Sequence, residues 1–268
     1  MSKSEVQNSK FRPKNKPTEF IKFLGTAGAR FVMIRQLRAS GGLWIRACGK
    51  NILVDPGPGS IVRCASSRPK IDPSILDAII LTHRHLDHAN DINVMIEAMT
   101  EGGFKKKGVV FCPGDALDED PVILKHVRNF PERFEVLKEN SSYKIGDFEF
   151  QTGVRHIHPC ETYGLKFKLG SKSMSLVGDT KYFQELAGCY KADIIILPVV
   201  FFEPRPGVDH LSLPDAEILI QTMKPEMVIL THFGMTMLKA KPHIQAEMLK
   251  KKLGIDVVAA YDGMTLEF

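Results

Sequence analysis

The amino-acid sequence predicts an α/β protein whose sheets are covered by helices, and three observations predict it. Apolar runs such as "IIILPVV", "MVIL" and "AIIL" are of strand length and have no polar alternate position, as expected of strands buried on both faces. Amphipathic helical patterns such as "NDINVMIEAMTEGG" and "SLPDAEILIQTMKP" stand between them. Four of the apolar runs stop at a histidine or an aspartate, and in open α/β sheets ligands collect where strands end.

Taken in order, "EFIKFLGTAG" reads as a short strand closing on glycines. The following "ARFVMIRQLRASGG" carries Arg30, Arg35 and Arg38 and reads as a solvated loop, though such arginines can also meet an anionic substrate. "LWIRACGKNILVDPGPGS" gives two strands around a Gly-Lys-Asn turn, then a Gly-Pro loop. "LDAIILTH" is a buried strand. Ile92, Met95, Ile96 and Met99 then fall at i, i+3, i+4, i+7, a helix ended by Gly102 and Gly103. "GVVFCP" is a strand, and residues 118–130 read as a helix with Pro121 in its first turn. "YKIGDFEFQTGVRHIH", "YGLKFKLG" and "SMSLVGD" read as consecutive strands. "ADIIILPVV" is a strand, Ser212 caps the helix that follows, and "EMVILTHFG" is a strand. "KPHIQAEMLKKKLG" is a helix and "DVVAAYDGMTLEF" a final strand pair.

The 268 residues are 44% hydrophobic and 25% charged, ordinary for a globular chain. They divide into a basic, Pro-containing tail over 1–18 and one domain over 19–268. No apolar run reaches the roughly 18 residues of a membrane span, and the first residues lack the apolar core of a signal peptide. Cys48, Cys64, Cys112, Cys160 and Cys189 are odd in number, dispersed and without a CxxC pair. That argues against a disulfide framework and against a cysteine zinc knuckle, and for a cytoplasmic protein with reduced thiols. The net charge is +5, and the first 20 residues hold five basic against two acidic side chains. The excess is therefore mostly a solvated tail, and not the clustered basic face of a nucleic-acid-binding body.

The chemistry concentrates in "LTHRHLDHAND", residues 81–91. His83, His85 and Asp87 alternate, so in an extended segment they face one way, and His88 faces another, toward a second metal. Imidazoles and carboxylates at this density favour zinc, manganese or iron. Asp55, Asp179 and His232 end three other apolar strands. "VRHIHPCETYG" offers His156 and His158, and alternation does not choose between them. His126 and His243 lie in expected helices with no such context.

HxHxDH after an apolar strand, followed by single His, Asp and His residues at later strand ends, resembles the metallo-β-lactamase-fold hydrolases, over essentially the whole chain from residue 19 onward. The resemblance implies an αββα sandwich, two mixed sheets flanked by helices, with a dinuclear centre at one edge. It implies two divalent ions, zinc first, with manganese and iron as alternatives. His83, His85 and a later histidine would hold one ion; Asp87, His88 and His232 would hold the other, with Asp179 bridging. Relatives place the later histidine six residues before the glycine of the next strand, which selects His158 ahead of Gly164. Asp55 would stand behind a ligand histidine and hold its tautomer. His210, in "DHLSLPDAE", would face substrate as it does in the phosphodiesterase members. Asp87 would also orient the hydroxide.

Asp179 follows His158 by only 21 positions, which leaves no room for the tRNA-gripping arm of the tRNA 3′-end processing endonucleases. That spacing and "GDT" resemble the small phosphodiesterases, such as the phosphoribosyl cyclic phosphodiesterases, although the cysteine-containing structural zinc site of those enzymes is missing here. The expected activity is metal-dependent hydrolysis of a small or nucleotide-like phosphodiester. Thioester or lactone hydrolysis and persulfide dioxygenase-type iron chemistry are alternatives on the same fold. No membrane partner is expected; nucleic acid and a homodimer stay open.

Overall fold

A strand with apolar side chains at every position needs an apolar layer on each face. Ile194–Pro198 has that pattern: Ile194 and Ile196 pack between the two sheets, while Ile195 and Leu197 pack under helices. The same division runs through the whole protein in the computed structural model, which describes residues 19–118 and 120–268. The basic tail read over 1–18 lies outside the described residues.

The chain runs β1 (Phe20–Phe23), α1 (Ala29–Ile34), β2 (Leu43–Ala47), β3 (Lys50–Val54), α2 (Ser60–Ser66), β4 (Ala78–Ile80), α3 (Leu86–Ala89), α4 (Ile92–Met99), β5 (Val109–Cys112) and β6 (Arg133–Val136). It continues with β7 (Ser142–Ile145), β8 (Phe148–Thr152), β9 (Leu165–Leu169), β10 (Lys172–Leu176), α5 (Glu185–Cys189), β11 (Ile194–Pro198) and α6 (Leu213–Met223). It ends with β12 (Met227–Thr231), α7 (Met235–Lys239), α8 (Pro242–Leu253), β13 (Asp256–Ala259) and β14 (Thr265–Glu267).

Two seven-stranded sheets result, in the orders β14-β1-β2-β3-β4-β5-β6 and β13-β12-β11-β10-β9-β8-β7. Each is mixed: β3 to β6 are parallel and β14 to β3 antiparallel, while β10 to β13 are parallel and β7 to β10 antiparallel. Phe23, Ile45, Ile80, Phe111, Phe148, Phe150, Ile196 and Ile229 fill the space between the sheets. Trp44, Leu53 and Ile79 pack outward against α2 and α4, and Val228, Leu230 and Val257 pack against α6 and α8. The layers are therefore helix, sheet, sheet, helix.

Three local expectations are corrected. Residues 120–130 form no α-helix; a 3₁₀ stretch over Lys125–Asn129 replaces it. The Asn93 side chain accepts from Leu124 N and donates to Val122 O, both at 2.9 Å, and so takes the backbone groups a helix needs. The final two strands are not paired with each other: β13 extends the second sheet beside β12, and β14 crosses to pair with β1 in the first. Residues 153–164, including His156 and His158, are not strand but a loop that arches between β8 and β9.

Ser212 does cap α6, in a reciprocal box: its Oγ accepts from Asp215 N, and Asp215 Oδ2 accepts from Ser212 N at 2.8 Å. Ser212→Ala is expected to lower stability by about 1 kcal/mol, against the roughly 2–5 kcal/mol of a buried Leu→Ala change in the same layer. Urea unfolding of the two variants would show whether that order holds.

Candidate metal centre

The sheets meet the same edge with their strand ends, and the histidines and aspartates stand there. From the first sheet come Asp55 after β3 and His83, His85, Asp87 and His88 after β4. From the second come His158 in the β8–β9 loop, Asp179 after β10, His210 before α6 and His232 after β12. Asp87 and His88 do not continue an extended segment. Leu86–Ala89 is one helical turn, so the turn, and not strand alternation, separates their directions.

Asp179 Oδ2 is the point of convergence. His232 Nε2 lies 3.2 Å from it, His210 Nδ1 3.4 Å, His88 Nε2 3.5 Å and His83 Nε2 3.9 Å. Asp87 Oδ2 lies 3.7 Å from His232 Nε2 and 3.8 Å from His88 Nε2. On the other side, His158 Nε2 and His85 Nδ1 are 3.0 Å apart. Among the described residues, three overlapping groups, each with its donor atoms within 4.8 Å of one another, emerge: His83, His85, His158 and Cys160; His83, His88 and Asp179; Asp87, His88 and His232.

The residues fit divalent cations. Nε2 of His83, His88 and His232 and Nδ1 of His210 are buried without a hydrogen-bond partner. An orphaned buried polar atom costs about 1–3 kcal/mol, and the three of His83, His88 and His232 at one spot point to a cation that would satisfy them. Burial pushes His83 well below the usual imidazole range and lowers His85 and His158, keeping them in the neutral form that ligates, and it lowers His210 as well. Burial also opposes charge on His88, but Asp179, Asp55 and Asp87 together outweigh it and raise its pKa well above the usual value. Asp179, though buried, is held well below the carboxylate range by His232, His88 and His210.

The imidazoles are aimed by groups behind them. Asp55 Oδ2 receives the Thr82 hydroxyl proton at 2.7 Å, and Asp55 Oδ1 accepts from Thr82 N at 2.7 Å. With its proton so committed, Thr82 Oγ1 is left to accept from His83 Nδ1–H at 3.0 Å, which frees His83 Nε2. Asp55 Oδ2 also accepts from His88 Nδ1–H at 2.9 Å. His158 Nδ1–H donates to Asp209 O at 3.0 Å, freeing its Nε2. One carboxylate thus orients rings in all three of the groups. Asp55 and His232 adopt left-handed φ of 54° and 57°, rare for non-glycine residues and common where chains are bent for function. The His232 bend is clamped by Phe233 N to Thr26 O and Gly28 N to Phe233 O, at 2.9 and 3.0 Å. A Cβ on Gly28 would sit 2.0 Å from His232 O, so only glycine fits.

His156 belongs to none of these groups; its Nε2 lies 2.9 Å from Tyr190 Oη in the wall behind the centre. His126 and His243 are remote, in the 3₁₀ stretch and in α8. Arg30 and Arg35 are exposed on and just after α1, a helix where a loop was expected, and Arg38 Nη1 donates to Thr26 Oγ1 at 3.1 Å. Two residues escape a reading by sequence: Thr82, whose role appears only once Asp55 is placed beside it, and Cys160, whose one signal is its place two residues after His158.

The family model described as the β-lactamase superfamily domain matches residues 50–233. An uncharacterised protein of Methanocaldococcus jannaschii is 31% identical over 255 residues, covering 91% of this chain and 93% of that protein. The crystal structure of the metallo-β-lactamase-fold protein YhfI from Bacillus subtilis superposes with a TM-score of 0.76 at 19% identity, covering 94% of this chain and all of that one. A crystal structure described as a new diphosphatase from the PhnP family gives a TM-score of 0.66 at 21% identity, covering 93% and 98%. With two mixed sheets between helices and the HxHxDH cluster at their shared edge, the chain belongs to the β-lactamase superfamily, the hydrolases of the metallo-β-lactamase fold.

Proposed function

We propose that the chain is a dinuclear metal-dependent hydrolase of phosphodiesters. The observation that carries this reading is the convergence of imidazoles and two carboxylates, with orphaned nitrogens, on Asp179 Oδ2. His83, His85 and His158 would hold one ion, Asp87, His88 and His232 the other, and Asp179 would touch both. The donor set suits zinc, with manganese and iron as alternatives. A pair of divalent ions supplies a water ionised near neutral pH and a positive clamp for the attacked centre.

The remaining chemistry is the protein's own. Asp87 Oδ2 stands opposite Asp179 Oδ2 across His232 and His88, where it can accept a proton from the attacking oxygen and fix its direction. His210 is in none of the ligand groups, yet its Nδ1 faces the centre 3.4 Å from Asp179 Oδ2. From there it can donate a hydrogen bond to a phosphoryl oxygen or to the leaving oxygen. A relative named as a diphosphatase supports phosphorus chemistry, at fold level. Small or nucleotide-like diesters suit the 21-residue path from His158 to Asp179, which carries no arm. No described helix is long and apolar enough to cross a membrane.

Bis(p-nitrophenyl) phosphate is expected to be hydrolysed with zinc or manganese and not after chelation. Protein that binds two ions and turns over only thioesters or lactones would move the reading to acyl transfer. His210→Ala is expected to lower kcat by about 10²–10³-fold with unchanged metal content; unchanged kcat would remove it from the reaction. Asp55→Asn tolerates the left-handed backbone and removes the charge behind His83 and His88. It should weaken metal affinity by about 10–100-fold, read by competition with a chromophoric chelator.

A further inference from the structure

The outer face of the first sheet carries a second concentration of charge, outside the metal centre. Lys22 on β1, Arg63 on α2, and Ser67 and Arg68 just after that helix line one pocket of about 350 Å³. None of them belongs to a donor group of the centre. We propose that this pocket is an anion site for a phosphoryl group, carried by a small phosphate monoester or by the free phosphate ion. It stands whatever chemistry the metal centre performs.

Along β1 the side chains alternate. Ile21 and Phe23 pack between the sheets, so Lys22 points outward, on the face where Leu24 packs with Cys64 of α2. Lys22 is nonetheless only 7% exposed. A lysine is almost never buried so far unless it is paired with an opposite charge. Its Nζ donates to Gly263 O at 3.3 Å and to Thr265 Oγ1 at 3.1 Å, both neutral oxygens. An ammonium has three protons, so one has no acceptor among the described residues. Arg63 Nε donates to Leu24 O at 3.0 Å, which fixes the guanidinium and leaves its Nη groups for another partner. Among the described residues no carboxylate pairs with Lys22, Arg63 or Arg68, and none lines the pocket. Ser67 Oγ is buried there with no hydrogen-bond partner. An ordinary basic surface keeps its charges in water. Exposed Arg68 fits that description, but Lys22 and the Ser67 hydroxyl do not.

The chemistry of the lining selects the ligand. Lys22, Arg63 and Arg68 bring three positive charges, more than one carboxylate can answer. A phosphate monoester carries a charge of about −1.5 to −2 at neutral pH and three strongly accepting oxygens. Arginine forks take such oxygens in pairs, and a lysine ammonium adds a point charge. The Ser67 hydroxyl can donate as well. At about 350 Å³ the pocket lies near the small end of ligand sites, which suits a phosphoryl group on a small molecule.

The test is calorimetric titration of the metal-loaded full-length protein with inorganic phosphate and, separately, with glycerol phosphate. Any phosphate held by the metal ions is common to wild type and variants and cancels in the comparison. Wild type is expected to hold one phosphate per chain that Arg68→Gln binds about 10–100-fold more weakly, with unchanged metal content. Arg68 is exposed, so this change spares the core. Ser67→Ala keeps every charge and should weaken the same event. Lys70→Gln removes an exposed charge outside the pocket and should leave it unaltered. No phosphate binding, or the same binding in wild type, Arg68→Gln and Ser67→Ala, would overturn the site. Equal losses in Arg68→Gln and Lys70→Gln would also overturn it, as the mark of diffuse surface charge. Tighter binding of glycerol phosphate would identify an ester as the ligand, and tighter binding of inorganic phosphate the free ion; both support the site.

Discussion

Everything at the centre depends on Asp55 holding two chains of hydrogen bonds from a strained bend. Its carboxylate accepts hydrogen bonds from the Thr82 hydroxyl and from His88 Nδ1–H, so that two imidazoles turn their Nε2 atoms to the same space. A buried ring with the wrong tautomer would present N–H to a cation and repel it. Asp55 can reach both partners because it ends β3 beside β4 and turns with φ of 54°. The parallel pairing of those strands places Thr82 within its reach. Sheet topology thus becomes proton position.

The same edge concentrates charge that no single element could bear. Asp179 is almost wholly buried, and an isolated buried carboxylate is costly. Four imidazole nitrogens within 4 Å make the carboxylate tolerable, and it in turn tolerates a raised pKa at His88. Such mutual dependence is common where pKa values are tuned for chemistry.

Much of this was legible in the residues. Strands such as β4, β11 and β12 announce themselves because burial on both faces demands continuous apolar side chains. The polar residues that end them are conspicuous against that background. What was hidden depends on partners remote in sequence. The turn at Leu86–Ala89 is too short for any periodicity, and β14 finds β1 only after the whole chain has folded. Helical spacing at 120–130 was real, since Ile123 and Val127 are both buried, but the Asn93 side chain captured the backbone first. A lone threonine and a lone cysteine carry no spacing to read, so Thr82 and Cys160 appear only through their neighbours.

Each of the three donor groups draws on both sheets or on the loops that join their strands: His83 and His85 with His158, His88 with Asp179, Asp87 with His232. Neither half of the chain holds a complete set. Any ion held there would act as a rivet between the halves, and its binding energy would add to the packing of Phe111, Phe150 and Ile196 between the sheets. Loosening of that apolar seam, by heat or by a mutation far from the edge, would pull the donors apart before any strand is lost, so the protein's grip on metal is at the same time a gauge of how tightly its two halves are closed.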